Sequence, residues 1–281
     1  VVTQNLLERL YLERLEEKSR IIETLLVQSN NDWEAVLFKL LAKNFGLKVN
    51  GEAFYSLANS VDFSVVRKLQ PNVKQLEALL FGQANLLNET IEDSYYIDLQ
   101  HEFKYLKQKF KLQNNGVLPL QYFRLRPTNF PTIRLAQLAM LYHSEQNLFS
   151  KIINLSALKE FYKVLSNDTT AFWETHYTFG KSSKPSKKTI SKSFIDLLLI
   201  NTLIPLKYCY SKHKGQENHE DILKLIQEIK SEKNSIVDKF QTLKSISGSA
   251  MHSQALLQLK NSYCDKNKCL QCAIGNNILK L

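Results

Sequence analysis

Leucine, isoleucine and aromatic residues recur at three- and four-residue spacing along most of this chain, with charged residues between them. Leu6, Leu7, Leu10, Leu15, Ile21, Ile22, Leu25 and Leu26 set the pattern in the opening stretch. A stripe of this period belongs to a helix, where residues three and four apart share a face. Eight glycines and six prolines in 281 residues are too few for a β-rich fold with many tight turns. No stretch alternates with a period of two, and no fixed-length repeat stands out. The expected fold class is all-α, a multi-helix array forming one continuous domain or two helical subdomains.

The texture breaks once. Residues 118–131 hold Pro119, Pro127 and Pro131, half of the prolines in the chain, just after the turn signal Asn114-Asn115-Gly116. This predicts an N-terminal helical subdomain over 1–113, a Pro/Arg-containing connector over 114–131 and a C-terminal helical subdomain over 132–281. Helix starts are marked as well. Asn30-Asn31-Asp32 ends the first helix and caps the next, whose stripe is Trp33, Val36, Leu37, Leu40 and Leu41. The final helix is expected from about Leu270 to the terminus.

The formal net charge is +10 and is uneven. Residues 1–140 carry 17 basic against 15 acidic side chains, and residues 141–281 carry 20 against 12. A basic second half suits an anionic partner, nucleic acid included, or simply a lysine-rich surface. The longest apolar run, Phe194–Leu206, is interrupted by Asp196, Asn201, Thr202 and Pro205. It is too short and too polar to span a bilayer. No signal peptide is visible. The expected location is the bacterial cytoplasm, with no membrane partner. The chain opens at Val1 directly into helical periodicity, which reads as a piece of something longer.

Three constellations could carry chemistry. The first is Cys264-x4-Cys269-x2-Cys272, a spacing used for zinc and for iron–sulfur clusters. Lys266 and Lys268 would favour thiolates there. A closed site wants a fourth ligand, and Cys209, His176, His213 and His252 are the candidates. The alternatives are three reduced thiols packing a C-terminal cap, or a redox pair formed by Cys269 and Cys272.

The second is the run from Tyr122 to Arg134, where Arg124, Arg126 and Arg134 stand among aromatics and prolines. Arginine beside exposed rings grips single-stranded nucleic acid. The same pattern also serves a rigid connector whose arginines satisfy helix ends. The lysine loop 180–192, with Lys184, Lys187 and Lys188, would add phosphate contacts or remain a solvated loop. The third is Phe172-Trp173-Glu174-Thr175-His176-Tyr177. Glu174 and His176 are weak candidates for acid–base work, because a lone histidine among aromatics more often packs and hydrogen-bonds. Walker A, G-x-G-x-x-G, H-E-x-x-H, G-x-S-x-G and EF-hand patterns are absent from the sequence.

Several of these stretches together carry a resemblance. They are Leu12-Glu13-Arg14-Leu15-Glu16-Glu17-Lys18, Asn31-Asp32-Trp33-Glu34, Phe81-Gly82-Gln83-Ala84, Arg126-Pro127 through Gln137, His176-Tyr177, and Cys269-Leu270-Gln271-Cys272-Ala273-Ile274-Gly275-Asn276. The chain resembles the C-terminal part of a bacterial family of uncharacterised proteins, the domain of unknown function 2851 group, over essentially its whole length. The resemblance implies longer members with a β-rich, nuclease-like N-terminal part. Cys209 lies outside the family pattern. The expected role is a non-catalytic helical scaffold or interaction module that meets a protein partner or its own N-terminal domain. The alternative is a nucleic-acid-binding accessory module of a nuclease-like protein. An enzyme using His176 and Glu174 is the weakest reading.

Overall fold

The computed structural model describes residues 3–216, 219–243 and 248–279. It is an all-α multi-helix fold. The helices are α1 (Gln4–Gln28), α2 (Trp33–Phe45), α3 (Leu47–Asn59), α4 (Phe63–Leu69), α5 (Val73–Gln83), α6 (Ser94–Phe110), α7 (Pro131–Ser144) and α8 (Leu148–Asn154). They continue as α9 (Leu158–Leu165), α10 (Ala171–Glu174), α11 (Lys192–Leu198), α12 (Ile204–His213), α13 (His219–Glu228), α14 (Ser235–Leu243), α15 (Ala250–Gln258) and α16 (Ala273–Leu279). Residues 280–281, part of the expected last helix, lie outside the described residues. Two wider, π-type turns occur at Leu199–Leu203 and Leu259–Cys264, and single 3-10 turns at Pro127–Asn129 and Cys269–Gln271. The one described sheet is an antiparallel ribbon of β1 (His176–Thr178) and β2 (Lys181–Ser182), turned by Gly180 at φ 67°.

By its contacts the chain divides into two compact units. One comprises residues 1–28, 156–158 and 199–281, and the other 29–155 and 159–198. The Pro/Arg segment expected to connect subdomains lies inside the second unit. It is held along α3: Asn50 and Gln121 exchange two 2.8 Å hydrogen bonds, and the Leu118 amide donates to Ser56 Oγ at 2.9 Å.

The second unit is organised around α7, buried at every position from Pro131 to Ala139. Pro131 starts it where a missing amide costs nothing. Helix starts are fixed by the side chains of Asp32, Asp62, Asn72 and Asp93, each accepting from amides of the first turn. Gly82 lets α5 and α6 meet, since a Cβ there would lie 2.1 Å from the Phe103 ring. The first unit packs α15 and α12 on the long α1, whose buried stripe Leu6, Leu7, Leu10, Leu15, Ile22, Leu25 and Leu26 is the one the periodicity marked except for Ile21, which is exposed.

Inside that unit lies a polar cluster. The first π-type turn leaves the Ile200 carbonyl free to accept from Lys18 Nζ at 3.1 Å, and Asn201 Oδ1 accepts at 3.2 Å. Burial lowers the Lys18 ammonium to a pKa of about 7, Arg14 lowers it further, and Glu232 opposes both. Arg14 Nε donates to Gln254 Oε1 at 2.5 Å, and Gln254 in turn donates to Glu232.

Candidate functional site

The cysteine motif folds into a knuckle of the first unit. α15 runs into the π-type turn that ends at Cys264. The Lys268 amide then returns to the Tyr263 carbonyl at 2.9 Å, closing a short loop through Asn267 at φ 54°. That closure sets Cys269 beside Cys264. A 3-10 turn carries the chain to Cys272, whose carbonyl accepts from the Asn276 amide at 2.8 Å in the first turn of α16. α16 lies directly on the 3-10 turn because residue 275 is glycine: a Cβ there would be 2.4 Å from the Cys269 carbonyl oxygen.

The three thiols line one apolar pocket of about 210 Å³, together with Phe240, Leu259, Tyr263, Ile274 and Gly275. Cys264 and Cys269 are exposed, Cys272 is buried, and none of the three is in a disulfide. Burial raises the Cys264 pKa, Cys272 and Cys269 raise it further, and Lys260 opposes them. The sulfurs surround a space and do not converge on a point. Among the described residues no group of three or more His, Cys, Asp or Glu side chains is placed to hold a metal ion.

None of the proposed fourth ligands lines this pocket. Cys209 is buried against the Ser19 carbonyl at 3.9 Å, and burial pushes its thiol up to about 11. His252 lies between Gly248 and Gln4. His213 is exposed at the end of α12, and His176 sits in the ribbon of the second unit.

Tyr263 also lines a second, polar pocket of about 380 Å³ with Glu13, Glu16, Glu17, Arg20, Lys266 and Lys268. Its carboxylates are engaged: Tyr263 donates to Glu13 at 2.8 Å, Tyr208 to Glu16 at 2.5 Å, and Gln258 to Glu17 at 2.8 Å. Sequence reading missed this pocket, because its residues come from both ends of the chain.

The basic candidates of the second unit separate. Arg124 and Arg126 are exposed, and Arg124 lies 5.0 Å over the ring of Phe123, itself 77% exposed. Arg134 is buried. It stacks 3.7 Å from the Phe194 ring and donates to Asn129 Oδ1 at 2.6 Å and Gln137 Oε1 at 2.8 Å. Burial lowers its pKa to about 10. Both of these hydrogen-bond partners are neutral side chains. Lys184 and Lys187 are exposed, Lys187 within 3.4 Å of Asp168. Lys188 turns inward, with Nζ donating to the Glu174 and Ser186 carbonyls at 3.2 and 2.9 Å. Thr132 to the Tyr177 carbonyl and Gln137 to the Lys188 carbonyl tie the ribbon and the lysine loop to α7.

His176 stacks on Phe172 with centroids 4.1 Å apart, and its Nδ1 meets the Phe172 carbonyl at 3.0 Å. The Glu174 side chain is exposed. The acid most deeply enclosed is Glu77, on α5; burial also raises Glu34, on α2. Glu77 is fully buried and accepts from Trp173 Nε1 at 3.0 Å, Thr170 Oγ1 at 3.2 Å and the Tyr95 hydroxyl. Desolvation raises it to about 7 against those three hydrogen bonds. The signal was an acid inside the apolar run from Leu76 to Phe81.

A family model described as "Protein of unknown function (DUF2851)" matches residues 1–235. The chain belongs to that family. The DUF2851 match takes in α1 to α13 and the polar cluster up to Glu232, and it ends before the cysteine knuckle. No curated protein and no solved structure matches the chain. Among the described residues no helix is long and apolar enough to cross a membrane.

Proposed function

We propose that this DUF2851 chain is a non-catalytic helical interaction module, and that the C-terminal end of its first unit docks a protein segment with an apolar face and acidic flanks. One observation carries this reading. The elements around the cysteine pocket turn Leu243, Leu270, Ile278 and Leu279 outward at 83, 76, 59 and 62% exposure. Single exposed apolar residues are ordinary, but four on the elements that frame one apolar pocket suit a docking surface. Lys266 and Lys268, on the loop before Leu270, supply the complementary charge. Of the acid–base candidates, His176 is stacked on Phe172 and bonded to its carbonyl, and Glu174 is exposed.

The test places a photo-crosslinking residue at position 270 in cells that encode the chain. A discrete adduct identifies the partner, which is then purified. Withdrawing one leucine from such a contact removes roughly 1.5–3 kcal/mol, a loss of about ten- to 150-fold in affinity. Leu270→Asp should weaken binding of the purified partner by at least that much. Unchanged affinity, or no discrete adduct, refutes the reading.

The second reading is nucleic-acid binding by the second unit, favoured by the exposed Phe123–Arg124 pair with Arg126, Lys184 and Lys187. It requires anisotropy-detected binding of single-stranded oligonucleotides that falls with salt. Joint Arg124→Ala and Arg126→Ala exchange should reduce the salt slope by roughly one to two. Salt-insensitive or undetectable binding removes it.

A further inference from the structure

The knuckle at residues 263–276 holds three thiols at one opening in a wall that is otherwise apolar. Its backbone is built for that placement. The Tyr263–Lys268 hydrogen bond closes the loop before Cys269, and Gly275 allows α16 to lie on the turn that separates Cys269 from Cys272.

A thiol pocket of this kind has three ordinary uses: packing, a redox pair, or holding a thiophilic centre; a redox pair of Cys269 and Cys272 leaves the third thiol, Cys264, at the same opening without a use. Packing accounts poorly for Cys264 and Cys269, which are exposed. A single ion at Zn–S distances of about 2.3 Å needs sulfurs converging on one point, and the described residues offer no such convergence. The pocket volume of about 210 Å³ is room for a polynuclear core. The spacing C-x4-C-x2-C is that of the first three ligands of plant-type [2Fe–2S] proteins. The apolar wall of Phe240, Leu259 and Ile274 would shield one side of such a core from water.

We propose that Cys264, Cys269 and Cys272 hold an iron–sulfur cluster in this pocket, with the remaining ligand position open to solvent. Cys209 takes no part, because it is buried against Ser19 and is absent from the pocket wall. The proposal is independent of the docking role: a cluster can be present whether or not Leu270 meets a partner.

The test uses the full chain, purified and reconstituted without oxygen with ferrous iron and sulfide, then desalted. Expected are about two to four irons per chain with matching acid-labile sulfide, and a broad visible absorption that bleaches with dithionite. Cys209→Ser should retain all of it. The triple variant Cys264→Ser, Cys269→Ser, Cys272→Ser should lose it. The exposed Cys264→Ala exchange, whose side chain bears little of the fold, should fall to the background of the triple variant, with helical circular dichroism unchanged. Iron and sulfide retained equally by the triple variant would overturn the assignment. So would failure to incorporate sulfide, or stoichiometric zinc in the purified chain that iron and sulfide do not replace.

Discussion

Replacing Glu77 by Gln should abolish a pH dependence that the enclosed carboxyl imposes on the second unit. Glu77 has a folded pKa of about 7 against an ordinary 4.5, so the folded state holds its proton more tightly than the unfolded state. Such a group stabilises fully below pH 4.5, and its contribution disappears as pH rises through 7. At about 1.36 kcal/mol per pKa unit, the stabilisation amounts to roughly 2–3 kcal/mol at pH 5 and almost nothing at pH 8. Glutamine keeps the arrangement without the proton. Its oxygen can accept from Trp173 and Thr170, and its amide can donate to the Tyr95 hydroxyl. Both tryptophans, Trp33 and Trp173, lie in this unit, so intrinsic fluorescence during urea unfolding follows it. The wild-type chain should lose about 2–3 kcal/mol relative to Glu77→Gln between pH 5 and 8. Parallel stability profiles for the two proteins would refute the reasoning.

Lys18→Met tests the mirror case in the first unit. The Lys18 pKa falls from 10.5 to about 7, so its contribution is present above 10.5 and is lost as pH falls through 7. Melting temperatures followed by circular dichroism should rise with pH between 7 and 10 in the wild type more than in Lys18→Met; equal slopes would count against a buried, depressed lysine. Gly275→Ala would force α16 off the Cys269 backbone, 2.4 Å from the added methyl. Mass-mapped alkylation should find Cys272, now only 9% exposed, modified at least about tenfold faster, in keeping with local opening of the knuckle. An unchanged rate would show that the turn tolerates the methyl.

The helices were legible because their period is written in large residues that only one face can bury. The stripe of α1 and the Asp32 cap of α2 are direct translations of sequence into structure. The ribbon was not legible. Three residues of β1 and two of β2 are too short to show alternation, and their pairing depends on Gly180 and on Thr132 holding the Tyr177 carbonyl. At the candidate sites, spacing located the cysteines, since a loop of a few residues can meet itself in few ways. Burial separated the basic residues: Arg134 and Lys188 look like Arg126 and Lys187 in sequence, yet face inward because α7 and the loop beside it are packed on that side. Glu77 was hidden by its partners, which lie eighteen to ninety-six positions away.

The π-type turn at Leu259–Cys264 sets a phase. In an α-helix each residue advances the azimuth by about 100°, so one extra residue lodged in a turn re-aims everything after it by that amount. α15 buries Met251, Ala255 and Leu256, and continuation in regular α-helix would have carried that same stripe forward past Leu259. The wider turn closes over five residues and so returns Cys264 towards the face of Leu259, and both line the pocket; regular α-helix would have placed the thiol about 140° away from Leu259. Removing a single residue there, with no side chain of the pocket altered, would rotate the thiol away from its two companions. Insertions and deletions in this turn are therefore far more consequential than substitutions.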